Sequence, residues 1–158
     1  MKLQTLISVV LLAVITTVAQ AADPIVIKFS HVVAPNTPKG KAADKFKELV
    51  ESRTGGKVKV EVFPNSQLYK DREEMEALQL GAVQMLAPSL SKFGPLGARE
   101  FEVFDLPYMF PNKETLYATM DGEVGKRLFA KLETKAIKGL TFWDNGFKQM
   151  SANRPMHK

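Results

Sequence analysis

The hydrophobic positions of this chain change period several times, and each change marks an element. Ile25-Val-Ile-Lys-Phe-Ser-His31 alternates and is rich in β-branched residues, which predicts a first strand. Val58-Lys-Val-Glu-Val62 alternates strictly, as a half-buried strand does. Val83–Ala87 predicts a short third strand and Gly139–Trp143 a fourth. Between strands the period lengthens. Ala42, Phe46, Leu49 and Val50 share one side of a helix, while Lys45, Lys47, Glu48 and Glu51 face water. Thr37 can cap that helix, and Pro38 suits its first position, where an N–H would be orphaned anyway. Gly55-Gly56 ends it. Asp71-Arg-Glu-Glu74 resembles a capping box before a helix with Met75 and Leu78 on its apolar face, closed by Gly81. Glu73-Glu74 also suits the positive end of a helix dipole. Asn112 caps a predicted helix through Met120, which Asp121-Gly122 breaks. Val124, Leu128, Leu132 and Ala136 mark one more. Pro64-Asn65-Ser66 reads as a turn and Pro88–Gly94 as a loop. The aromatic-rich Phe101–Pro111 reads as core packing rather than a cofactor box.

Strands alternating with helices predict an α/β fold: a largely parallel sheet whose crossovers cover its faces. Ligands of such sheets sit beyond the carboxyl ends of the strands. The residues there are His31 after the first strand, Ser89 to Phe93 after the third, and Asp144 to Lys148 after the fourth. If Phe147–Ser151 is a strand, Lys148 and Met150 share one of its sides. A lysine in a strand is rarely buried unpaired, so Lys148 either meets water or meets an anion. The coincidence of donors at three strand ends favours the anion.

Residues 1–22 stand apart. Lys2 precedes the short apolar run Leu6–Val18, and Ala19-Gln20-Ala21 supplies a small-x-small cleavage pattern, so a secretory signal peptide is expected. The absence of cysteine in an exported chain means that residues 23–158 must rely on a packed core rather than disulfides. The net charge of +5 is spread through residues of alternating sign, with no polybasic run, which argues against nucleic-acid binding.

Little points to catalysis. The two histidines, His31 and His157, form no metal-binding spacing, and there is no thiol nucleophile, GxSxG, Walker A or GxGxxG motif. The expectation is a binding module without a cofactor or metal, and no enzyme. A periplasmic enzyme built on one α/β domain is the alternative from another class.

Several phrases together carry a family resemblance: Ile27-Lys-Phe-Ser-His-Val-Val33, Asn36-Thr-Pro-Lys-Gly40, Phe63-Pro-Asn-Ser-Gln-Leu68, Ala87-Pro-Ser-Leu-Ser-Lys-Phe93, Phe104-Asp-Leu-Pro-Tyr108 and Asp144-Asn-Gly-Phe-Lys-Gln-Met150. In this order they resemble the solute-binding subunit of tripartite ATP-independent periplasmic (TRAP) transporters, and most closely its DctP-type, C4-dicarboxylate-binding branch. The resemblance implies a periplasmic-binding-protein-like lobe, which closes with a second lobe over an organic acid such as succinate, fumarate or malate. It implies delivery of that acid to membrane permease subunits, driven by an ion gradient, by a monomer. His31, Lys39, Ser89, Lys92, Asn145, Phe147 and Lys148 are the ligand contacts it implies. Many members have arginine at the position of Lys148; lysine keeps the charge but not the bidentate grip. The second lobe, with its carboxylate-pairing arginine, is expected to follow residue 158, so the chain reads as an N-terminal lobe truncated at the crossover. Other anions (a sugar acid, an aromatic acid) and a fragment that binds nothing remain alternatives.

Overall fold

The computed structural model describes residues 23–70, 72–144, 146 and 152–155. Three parallel strands form its sheet: β1 (Ile25–Ser30), β2 (Val58–Phe63) and β3 (Met85–Leu86). Their order is β2-β1-β3, so the chain steps to one side of β1 and then crosses to the other. Ile25 to Ser30 pair in unbroken register with Val58 to Phe63, and Phe29 and Ser30 pair with Met85 and Leu86. The third strand is shorter than the apolar run predicts.

Helix α1 (Pro38–Arg53) joins β1 to β2. Thr37 caps it as expected, its hydroxyl accepting from the Gly40 N–H at 3.2 Å. Gly55 and Gly56 take φ of +58° and +77° and end it. Its buried stripe is Ala43, Phe46 and Val50, which pack on Phe29, Val60, Ile27 and Val62. Phe29 is the hub, meeting Phe46 and Trp143 at ring-centroid distances of 6.0 and 5.9 Å.

The opposite face of the sheet is only partly covered. Val26, Lys28, Lys59 and Glu61 are exposed there, whereas Ser30 is buried. That face meets α2 (Glu73–Gln79) near the strand ends, where the Ser30 hydroxyl donates to Glu74 Oε2 at 3.5 Å. The expectation that crossovers cover both faces therefore holds fully for one side only. The capping box is also corrected. Arg72 is the cap residue, without a side-chain bond; the Glu73 carboxylate reaches back to the Lys70 N–H, and Glu74 is fully buried. Asp71 lies outside the described residues.

A second core gathers Met75, Phe93, Ala98, Phe101, Leu128, Leu132 and Ile137. Leu90–Phe93 and Arg99–Asp105 are 3₁₀ turns, and they bring Phe93 and Phe101 to 4.8 Å. The aromatic segment is core at Phe101, while Leu106, Tyr108 and Met109 beyond it are exposed. Asn112 caps α3 (Lys113–Asp121), its Oδ1 accepting from the Thr115 N–H at 2.8 Å. Helix α4 (Glu123–Glu133) buries Leu128 and Leu132. Val124 is exposed, and Ala136 lies past the helix end at φ +58°, because the chain turns back there to insert Ile137.

The predicted fourth strand is not a strand. Residues 139–144 join no ladder among the described residues. Side chains hold the segment instead: Phe142 stacks on Phe129 at 4.5 Å in the second core, and Trp143 packs on Phe29 in the first. Neighbouring residues of extended chain point to opposite sides, so the segment ties the two cores together. The sequence pattern of such a tie equals that of a strand.

Gly125 sits where α4 crosses α3. A methyl group there would strike the Met120 carbonyl and the Phe142 ring. Glycine to alanine inside a helix is ordinarily stabilising by up to ~1 kcal/mol. Here backbone overlap outweighs that, and Gly125→Ala is expected to destabilise by about 1–3 kcal/mol in urea unfolding.

Candidate functional site

The strand order puts a topological switch point between β1 and β3, where one connection leaves in each direction. The carboxyl ends of these strands carry His31 and the Ala87–Ser89 segment, and the N-terminal turn of α1 lies across both. Lys39, in that turn, is almost fully buried, and its ammonium donates to the Ala87 carbonyl at 2.9 Å. A buried ammonium requires acceptors, and this one joins the first helix to the end of the third strand. Gly40 makes the approach possible. A Cβ there would lie 2.5 Å from the Ala34 oxygen and 2.6 Å from the Pro35 oxygen.

His31 is 1% exposed, on the same side of the sheet as Phe29, which it meets edge-on at 6.1 Å. Neither ring nitrogen reaches a hydrogen-bond partner among the described residues. Burial lowers its pKa from the ordinary 6.5, and the Lys39 ammonium lowers it further; Asp44 and the Val33 backbone oppose them. The imidazole is thus kept neutral near neutral pH, with one nitrogen able to donate and one to accept.

Ser89 is half-buried and caps the 3₁₀ turn Leu90–Phe93, its carbonyl accepting from the Lys92 N–H at 3.0 Å. Lys92 is half-buried in that turn. The structure therefore brings His31, Lys39 and the segment leading to Ser89 to one end of the sheet, with Lys92 a turn further along. Asn145, Phe147 and Lys148 lie outside the described residues, and so does the strand predicted over Phe147–Ser151.

Two features were missed in the sequence. Glu74 reads as a solvated helix-start acid but is buried against Ser30, at the end of β1 opposite His31. Asp144 is the other. Its Oδ2 accepts from Lys113 Nζ at 2.7 Å and Tyr117 OH at 2.6 Å, and its Oδ1 from the Gly146 N–H at 2.6 Å. These donors hold its carboxyl at a pKa of about 2, the Lys113 bond first among them. Aspartate two residues before a glycine was a legible turn signal; the i, i+4 pair Lys113 and Tyr117 that meets it was not. Among the described residues no cluster of His, Asp or Glu could hold a metal ion.

The fold defines a class: an α/β chain whose parallel sheet is flanked by helices, as in periplasmic binding proteins. The chain belongs to the bacterial extracellular solute-binding protein family 7 (DctP), whose sequence pattern matches residues 29–158. It is 65% identical over 154 residues to the C4-dicarboxylate-binding periplasmic protein DctP of Rhodobacter capsulatus, covering 98% of this chain and 46% of that protein. A TRAP periplasmic solute-binding protein of Pseudomonas aeruginosa, solved with bound L-malate, superposes with a TM-score of 0.80 at 51% identity, over 85% of this chain and 46% of that one. Another, from Sulfurospirillum deleyianum with bound succinate, gives 0.75 at 52%, over 79% and 40%. The chain spans less than half the length of the curated relatives it matches.

Because His31 takes up its proton less readily folded than unfolded, stability is full above the unfolded pKa of about 6.5 and falls as pH drops below it. The loss continues until the folded imidazole is protonated too, at up to about 1.4 kcal/mol per pH unit. Urea unfolding between pH 7.5 and 5 is expected to show this limb, and His31→Gln to flatten it.

Proposed function

We propose that this chain supplies one wall of the ligand cleft of a TRAP-transporter solute-binding subunit that captures C4-dicarboxylates in the periplasm. The observation that carries the reading is the switch point between β1 and β3, where the buried Lys39 ammonium of α1 meets the Ala87 carbonyl past β3 and the buried His31 ends β1. Likeness to relatives named or solved with C4-dicarboxylates supports the ligand class. In this reading Lys39 and Lys148 supply positive charge, Ser89, Lys92, Asn145 and His31 supply hydrogen bonds, and Phe147 an apolar wall. The acid is held and released unchanged, so the protein acts as a carrier and not an enzyme. Residues 1–22 act as a cleaved export signal, residues 23–158 form the first lobe, and the loaded protein docks as a monomer on membrane permease subunits.

Isothermal titration of the full-length protein with succinate, fumarate, L-malate, galactonate and an aromatic acid tests the ligand class. Binding of the four-carbon acids ahead of the others is expected, and no heat with any of them would overturn it. Lys148→Met removes a charge-assisted bond of about 1.5–3 kcal/mol, so affinity is expected to fall roughly ten- to a hundredfold. Lys39→Met is expected to weaken binding and also lower the melting temperature, because the Ala87 carbonyl loses its donor.

A further inference from the structure

The Phe63–Leu68 phrase is the part of the sequence signature to which no role has been attached, and it contains the most unusual backbone near the site. Asn65 and Ser66 both take left-handed conformations, with φ of +53° and +57°. One non-glycine residue in that region is uncommon; asparagine tolerates it better than most, and serine does so less readily. Two in succession persist only when the surroundings require them, and such strain gathers at functional sites.

What the turn does is visible in its hydrogen bonds. The His31 N–H donates to the Phe63 carbonyl at 3.0 Å, continuing the β1–β2 ladder one step past the strands. The Ser66 N–H then donates to the His31 carbonyl at 3.2 Å, and the Asn65 N–H to the Val33 carbonyl at 3.1 Å. A right-handed or extended path through residue 65 would redirect the Ser66 N–H away from the His31 carbonyl. On its other side the same loop is held by Thr37, whose N–H and hydroxyl both donate to the Ala34 carbonyl, at 3.1 and 2.7 Å. The carbonyls of residues 31, 33 and 34 are all engaged, and Gly40 presses against the oxygens of residues 34 and 35.

These bonds hold the backbone of His31; its ring nitrogens are buried, with the Val33 backbone beside the imidazole. The ring packs edge-on against Phe29, and where it stands depends on the backbone that the turn holds. We infer that Asn65 and Ser66 are positioning residues for the ligand site: their left-handed turn fixes from behind the end of β1 that carries His31. This rests on the ligand reading proposed above.

The test uses the full-length protein with succinate and L-malate as probes. A β-branched residue resists the left-handed conformation, so Asn65→Val should expel the turn; Asn65→Ala is a milder form should the valine variant not fold. Asn65→Gly keeps the turn accessible. Thr54→Ala, which removes the hydroxyl bonded to Val50 and Val58 at the opposite end of the sheet, serves as a control for lost stability. The expected result is at least a tenfold loss of affinity in Asn65→Val or Asn65→Ala, recovery to within about threefold of wild type in Asn65→Gly, and an unchanged Kd in Thr54→Ala despite a lower melting temperature. NMR titration of His31 provides a readout independent of ligand: its midpoint should move up toward 6.5 in the valine or alanine variant and stay at the wild-type value in the glycine variant and the control. Wild-type affinity in Asn65→Val or Asn65→Ala, or an equal loss in the control, would overturn the inference. If wild type binds neither acid, the ligand reading fails, and the His31 titration alone decides whether the turn positions the ring.

Discussion

A positive charge removed from water must be met by negative groups, and Lys39 is such a charge. Its ammonium lies under the protein surface in the first turn of α1 and is met in part by the carbonyl of Ala87, at the end of β3. That single bond joins an early helix to a strand nearly fifty residues later. It also brings a cation near His31 that helps to lower the imidazole pKa. Gly40, which lies against the Ala34 and Pro35 oxygens, lets the turn that carries Lys39 come close to this loop.

The two cores divide the work around this site. The first, centred on Phe29, sets the sheet against α1 and so places both His31 and Lys39. The second packs the 3₁₀ turns against α4 and supports the segment that carries Ser89 and Lys92. Phe142 and Trp143 belong one to each, so residues 139–144 form a strap between them. Asp144 anchors the far end of the strap on α3 through Lys113 and Tyr117. Its low pKa of about 2 means that this anchor stays charged throughout the mildly acidic range.

Much of the fold could be read along the chain because the signals are local. The Thr37-Pro38 start, the Gly55-Gly56 stop, the Asn112 cap and the alternation of Val58–Val62 each depend on residues a few positions apart, and each appears in the structure where expected. Gly139–Trp143 fails for a related reason: alternation reports which sides of an extended segment are buried, not whether its backbone has a ladder partner. Glu74 fails because burial depends on what lies above it, and the Ser30 hydroxyl comes from forty-four residues earlier.

The sequence by itself determined the class of the protein, its α/β order and the family to which it belongs. Those depend on composition, period and phrase, which a linear chain carries in full. Only the tertiary structure decided that β1 is the central strand, that Lys39 is anchored on Ala87, that the imidazole of His31 is buried against Phe29, and that Asn65 and Ser66 take left-handed conformations behind it. Each of these is set by groups distant in sequence that meet when the sheet assembles, so no local pattern could contain them.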